Sequence, residues 1–339
     1  MSADGSFWIG PGTRVLVTGA TGFTGSHLVR RLCEEGAEVR AIVRASSDRS
    51  GLAGLPVRWF EGDVGDEALV RAAMEGVEVV FHIATLYRYG QATEAEHYRV
   101  HVESTQHLAR AAAEQGGFRR FVQVSTVGVH GHIEEPPANE ESPFRPGDEY
   151  QRTKAEAERW LREFAKERGL SYTIVRPCGI YGPGDRRLLK VFKMAARRVS
   201  PILGRRPCLY HLIHVEDLVG ILLAAAVKAE AEGEAFIAGD AEPIPLDRML
   251  RVIGEALGRK VRIVRLPVGP FMVAATVCEG VCRPLGITPP IYRRRVKFFL
   301  NDRSFDTRKL RERLGYACKV KTEEGLAATA RAYRAEGWL

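Results

Sequence analysis

The chain lacks any run of about 18 consecutive apolar residues, so no segment of its 339 residues reads as a membrane-spanning helix. No secretory leader is expected from Met1–Gly12, which is polar and glycine-rich with no apolar core, and the expected location is cytoplasmic. Cysteine is sparse and scattered, at positions 33, 178, 208, 278, 282 and 318. Only Cys278 and Cys282 lie close together, and no second pair or histidine stands at zinc spacing; reduced thiols and no metal site are expected. His97 and His101 are four apart but lack a third ligand in pattern. No internal repeat or low-complexity tract is evident. The formal net charge is +8, with paired arginines at 186–187, 197–198 and 205–206 and a cluster at Arg293–Arg295. No aromatic residues interleave with them in a nucleic-acid motif, which argues against such a partner. An anionic cofactor, substrate or lipid surface fits the excess better.

What is present starts at Arg14–Gly25, RVLVTGATGFTG. Val15, Leu16 and Val17 read as a buried parallel strand. Gly19, Gly22 and Gly25 then lead into an apolar-periodic helix beginning near Thr24. A helix N-terminus carries unpaired N–H groups and partial positive charge, which suits a pyrophosphate. Glycines allow the backbone to approach it closely. The turn is therefore a candidate dinucleotide site, with Gly19, Thr21, Gly22, Phe23, Thr24 and Gly25 as its cofactor-binding residues.

Strands are predicted at 38–43, 57–60, 77–83, 121–125 and 171–176, alternating with helices at 26–36, 66–74, 94–115 and 149–168. Asp66 is placed to cap its helix. That alternation predicts an α/β fold: a Rossmann-type, doubly wound parallel sheet. After Pro177 the texture changes. CGIYGPGD (178–185) is turn-rich, helices are predicted near 188–198, 216–228, 244–258, 307–314 and 323–333, and the apolar stretch 266–287 is broken by glycine and proline. The expected division gives 12–177 and about 208–232 to the dinucleotide domain. Residues 178–207 and 233–339 go to a smaller, discontinuous substrate-binding domain.

Tyr150 and Lys154 stand four apart at the start of a helix and share a face. A tyrosine acting as acid and base near neutrality needs its pKa lowered by ~3 units from about 10, worth about 4 kcal/mol. A lysine ammonium ~5 Å away contributes about 3 kcal/mol at an effective dielectric of ~20.

TGATGFTG (18–25), GDV (62–64), HIA (82–84), VSTVGVHG (124–131), YQRTK (150–154) and RPCGIYGPGD (176–185) occur in this order. With them the chain resembles an extended short-chain dehydrogenase/reductase of the NAD-dependent epimerase/dehydratase group. The resemblance implies hydride transfer at a nicotinamide and a Ser/Thr, Tyr, Lys triad, here Thr126, Tyr150 and Lys154. Thr126 would hold the reacting oxygen, Tyr150 would move the proton and Lys154 would tune it. Ser125 is the neighbouring, weaker candidate for the hydroxyl. Ala84 and Pro177 would lie near the nicotinamide, and Asp63 and Val64 near the adenine. The resemblance also implies a homodimer through helices 94–115 and 149–168.

Departures from the family pattern bear on specificity. The acidic residue expected about 20 positions beyond the glycine turn is missing, and Arg44 ends the second strand instead. Arginine favours a 2′-phosphate, so NADP is expected ahead of NAD. Gly179 occupies the place of an asparagine that resembles a diphosphate ligand in sugar-nucleotide members, and His101 replaces an asparagine that braces the active site. RPCGIYGPGD, the stretches 233–245 and 305–316, and the apolar segment 266–289 are more similar to 3β-hydroxysteroid and sterol dehydrogenases. Arg44 is shared with dihydroflavonol-type reductases. The first reading is an NAD(P)-dependent oxidoreductase acting on a secondary alcohol or ketone of an apolar, sterol-like small molecule. A nucleotide-sugar epimerase or reductase is the second, and a non-catalytic cofactor sensor the third. Residues 266–297 are a candidate peripheral membrane contact.

Overall fold

The computed structural model describes residues 7–86, 92–204, 206, 208–282, 289 and 302–339. Seven parallel strands form one sheet: β1 (Arg14–Thr18), β2 (Glu38–Val43), β3 (Val57–Glu61), β4 (Val79–His82), β5 (Arg120–Val124), β6 (Tyr172–Pro177) and β7 (Ala235–Ala238). Their order across the sheet is 3-2-1-4-5-6-7. It reverses direction between β1 and β4, and the crevice beyond the carboxyl ends of those two strands is where such sheets hold ligands. Every residue of β4 and β5 is buried, as helices on both faces require.

Five helices flank the sheet: α1 (Phe23–Glu34), α2 (Glu67–Met74), α3 (Ser104–Ala113), α4 (Glu149–Arg168) and α5 (Val215–Val227). Leu28, Val29 and Leu32 of α1 join Ile221 and Leu222 of α5 in one core. Val70, Leu108 and Leu161, from α2, α3 and α4, fill the other face. Each such side chain contributes roughly 2 kcal/mol by leaving water. Asp66 caps α2 as expected, accepting from the amides of Ala68 and Leu69 at 2.9 and 3.2 Å. Asp148 caps α4 through the Gln151 amide at 3.0 Å, which sets Tyr150 in the first turn.

A second core forms around Phe192, Met249, Leu250, Ile253, Leu326 and Tyr333. Its helices are Leu189–Ala195, Leu246–Ala256 and Thr322–Ala335. Two short strand pairs support them: Val199–Leu203 beside Arg262–Leu266, and Leu209–Tyr210 beside Ile244–Pro245.

The structure departs from expectation in four places. Ala235–Ala238, within the stretch assigned to the substrate domain, is the seventh strand of the main sheet, paired with β6. All four of its residues are buried and apolar, and a run that short carries no periodicity to announce it. Leu310 and Leu314, assigned to the same domain, pack into the core beneath α1 and α5. The predicted helix 94–115 is interrupted: Glu94–Tyr98 passes into a π-helical turn, Arg99–Glu103, before α3. Finally, Val268–Cys282 forms one helix despite Gly269, Pro270 and Gly280. Pro270 falls in the first turn, where a missing N–H breaks no helical bond. Residues 283–288 and 290–297 of the proposed membrane segment, including Arg293–Arg295, lie outside the described residues.

Candidate active site

β1 ends at Thr18, and the chain turns through Gly19 at φ +73°, a conformation that only glycine adopts without strain. A Cβ there would also lie 2.8 Å from the Ala84 amide nitrogen. At Gly25 a Cβ would stand 2.1 Å from the Gly19 carbonyl oxygen, so the helix meets the turn only because both are glycine. Gly22 differs: within 4 Å its Cβ would meet only the Gly19 oxygen, at 3.2 Å, and would otherwise project into open cleft. Gly22 caps α1 through no side chain, and the first turn of α1 holds no acidic residue. Bare amides, a positive helix end and a backbone cleared of Cβ fit a dinucleotide pyrophosphate.

The cleft above the turn has a volume of about 450 Å³. Thr21, Phe23 and Thr24 line it with the three glycines, and so do Arg44, Asp63, Val64 and Ala84. Asp63 is held by the Gly65 amide at 2.7 Å and lies 3.5 Å from Arg99 Nε. Arg44 is exposed directly after β2, beside Ser46, Ser47 and Asp48. Asp48 accepts from the Ser50 amide at 2.9 Å, within its own turn.

A second cleft of about 570 Å³ adjoins the first and shares Phe23, Thr24, Ile83, Thr85 and Arg187 with it. Thr126, Tyr150, Lys154 and Pro177 line it. Thr126 sits just past the end of β5, where its hydroxyl accepts the Gly128 amide at 3.0 Å and caps a short helical turn. Its own hydroxyl proton remains available as a donor. Lys154 is buried and donates to the Val124 carbonyl at 3.0 Å. Burial pulls its pKa down to about 8, and Glu158 opposes that shift. Glu158 is itself buried, in an ion pair of 2.7 Å with Arg176. This pair anchors α4 to β6 beneath the site.

Two neutral histidines brace the same region. His82 at the end of β4 accepts from Thr18 at Nδ1 (2.7 Å) and donates from Nε2 to Ser104 (3.0 Å). The assignment follows from its neighbours: Ser104 gives its proton to the Val100 carbonyl, and Thr18 receives the Ala84 amide. His101 lies inside the π-helical turn. Its Nε2 accepts from the Leu86 amide (3.1 Å) and from Thr85 (2.9 Å), so Nδ1 carries the proton toward Thr153 (2.8 Å). Its ring meets Tyr150 edge to face, centroids 5.5 Å apart. Burial, then the Lys154 charge, lowers both pKa values, His82 to about 3 and His101 further. His101 thus spans from the strand-end loop to α4. Among the described residues no group of three or more His, Cys, Asp or Glu side chains is arranged to hold a metal. His211 is tied instead to the Asp240 carbonyl, at 2.8 Å, and His214 caps α5.

The model of the NAD dependent epimerase/dehydratase family matches residues 15–239, from the glycine turn through β7. The chain belongs to that family. It is an enzyme of the extended short-chain dehydrogenase/reductase type, an oxidoreductase of an NAD(P)-binding group. It is similar to a 3-beta-hydroxysteroid dehydrogenase of Mycolicibacterium neoaurum, at 31% identity over 93% of this chain and 89% of that one. It is 29% identical to the 3beta-hydroxysteroid-dehydrogenase/decarboxylase isoform 2 of Arabidopsis thaliana, covering 93% of this chain but spanning only 61% of that protein. Among solved structures, the UDP-glucose 4-epimerase of Thermotoga maritima with UDP-glucose superposes with a TM-score of 0.76, at 25% identity, over 96% of this chain and 99% of that one.

The Ser125 hydroxyl, the second candidate from sequence, is buried without a hydrogen-bond partner among the described residues, beside Thr126 in the second cleft. Three other residues of these clefts are not marked in the sequence as site residues. Arg187 was visible only as half of a basic pair. Arg303 and Phe305 reach the cleft from far along the chain; no local pattern marked Arg303, and Phe305 was legible only as the start of the stretch 305–316 and not as a cleft residue.

Proposed function

We propose that this enzyme interconverts a secondary alcohol and a ketone on an apolar, alicyclic, sterol-like substrate, with NADP preferred over NAD. The observation that carries the substrate class is the lining of the catalytic cleft: Val127, Ile133, Ile180, Leu188 and Phe305 surround the space beside Thr126 and Tyr150. The resemblance to hydroxysteroid dehydrogenases supports the same class. Thr126 donates its hydroxyl proton to the reacting oxygen, and Tyr150 takes the alcohol proton or returns it to the ketone. The Lys154 ammonium stabilises the phenolate form of Tyr150. When bound, the nicotinamide accepts or supplies the hydride. Preference for NADP rests on Arg44, which has no ion pair with a described carboxylate, at a rim shared with Ser46 and Ser47.

The nucleotide-sugar reading draws support from Arg186, Arg187 and Arg303 in the cleft. Against it, a Cβ at Gly179 would lie 2.9 Å from the Leu212 Cδ2 methyl and 3.3 Å from the His211 carbonyl oxygen, so the asparagine of sugar-nucleotide members would fit there only if Leu212 shifted. Purified enzyme supplied with sterol alcohols and ketones is expected to change cofactor absorbance stoichiometrically, and Tyr150→Phe to lower kcat at least 100-fold. Turnover of UDP-sugars without net cofactor reduction would replace this reading with epimerisation.

A homodimer through α3 and α4 is part of the proposal, supported by the half-buried, stacked Trp160 and Phe164 on α4, centroids 4.7 Å apart. A monomer by sedimentation would refute it. Peripheral membrane contact is supported by Val273, Val277 and Val281, exposed one turn apart on helix Val268–Cys282. No helix among the described residues is long and apolar enough to cross a membrane.

A further inference from the structure

The loop that leaves the short strand Gly179–Tyr181 for the second core runs Gly182-Pro183-Gly184-Asp185-Arg186-Arg187. Its back is fixed by Tyr333, whose hydroxyl donates to the Asp185 carbonyl. The Asp185 carboxylate is buried and fully directed inward: Oδ2 accepts the Leu188 amide at 3.2 Å, and Oδ1 accepts Arg187 Nε at 2.6 Å.

Arg187 is thereby oriented from one side. On another side its guanidinium carbon lies 5.2 Å from the ring centroid of Phe23, the first residue of α1. Its Nη2 is buried and has no hydrogen-bond partner among the described residues. A buried guanidinium N–H without an acceptor is destabilising, so an acceptor is expected to arrive with a ligand. Arg187 lines both clefts at their junction, next to Thr24 and the start of α1. The amides of that helix end require the same kind of ligand.

We infer that Arg187 is a cofactor ligand: Nη2 donates to the dinucleotide pyrophosphate seated on the N-terminus of α1, and so ties the entry loop of the second core to the bound cofactor. The inference rests on the family's NAD(P) binding and not on the substrate proposed above. An anionic group on the substrate offers the same phosphate- or carboxylate-type acceptor, and the experiment separates the two. An arginine held by a carboxylate and an aromatic face is preorganised, so little side-chain freedom is lost when the anion binds.

The test is direct titration of NADP and NAD into wild type, Arg187→Met, Arg187→Lys and Arg44→Ala, read by protein fluorescence or calorimetry without substrate. Arg187→Met is expected to weaken both dinucleotides by the same factor, roughly tenfold, and Arg187→Lys to recover part of the loss. Arg44→Ala should weaken NADP alone. In hydrogen exchange, NADP should protect residues 183–188 of the wild type and leave them unprotected in Arg187→Met. Unchanged dissociation constants for both dinucleotides would overturn the inference. So would a raised substrate KM with intact cofactor affinity, which would assign the arginine to a substrate anion. If Arg187→Met fails to fold, the wild-type exchange experiment still decides: no protection of 183–188 by NADP overturns the inference.

Discussion

His101 Nδ1 lies 2.8 Å from the Thr153 hydroxyl, one residue before Lys154 on α4. The same ring receives the Leu86 amide on its other nitrogen. It therefore joins the loop after β4 to the helix that carries Tyr150 and Lys154. A protonated ring would face the Leu86 N–H with a second N–H, so the brace works only in the neutral form. An amide at this position reaches less far than an imidazole, and the π-helical turn at Arg99–Glu103 sets the backbone that carries the longer ring.

His101→Leu is expected to leave the Leu86 amide and Thr153 without their partner and to lower stability by roughly 2–4 kcal/mol. Urea unfolding checks this. His101→Asn should retain part of the bracing and lose less. An unchanged unfolding midpoint in His101→Leu would remove the brace from the account.

The two histidines also set an acid limit. Their folded pKa values lie below the unfolded value near 6.5, so the unfolded chain binds more protons in acid. Stability from these groups is full above about pH 6.5 and declines below it, by up to about 1.4 kcal/mol per pH unit for each. Unfolding measured between pH 7 and pH 5 should show that slope. His82→Gln and His101→Asn should each flatten it.

Lys154 adds a shift of the same sign in alkali. Its folded pKa is about 8 and its unfolded pKa is about 10.4. The fold carries the burial penalty below pH 8 and recovers it, roughly 3 kcal/mol in all, as pH rises between those values. Lys154→Met should then be at least as stable as wild type at pH 7 while losing 100-fold or more in kcat. A destabilised Lys154→Met would mean that the bond to the Val124 carbonyl outweighs the desolvation.

Arg44→Ala is expected to reduce NADP affinity by roughly 10- to 100-fold and to leave NAD within twofold, because only the 2′-phosphate is addressed. Fluorescence titration of both cofactors checks it. Equal losses would place Arg44 elsewhere on the cofactor.

Much of this was legible before any coordinates. The glycine turn, the strand and helix alternation to Pro177 and the tyrosine–lysine spacing are local patterns, and local patterns are what period and spacing report. Asp66 shows this well, since its cap needs only the two amides that follow it. The residues that escaped depend on distant chain. Arg187 draws its orientation from Asp185, Phe23 and Tyr333, and Phe305 comes back to the cleft after a long excursion. The buried brace at His101 was visible as an oddity of type, but its partners at 85, 86 and 153 lie on other elements.

The strand Ala235–Ala238 completes the main sheet only after the chain has already entered and left the second core, and Leu310 and Leu314 come back to the first core once more. The two halves of this enzyme are thus sewn through one another by repeated crossings. Neither can be excised by a single cut, and a circular permutant opened at one crossing keeps the others. Exchanging a loop between the crossings leaves both interleaved cores in place, whereas transplanting one contiguous half would cut through them.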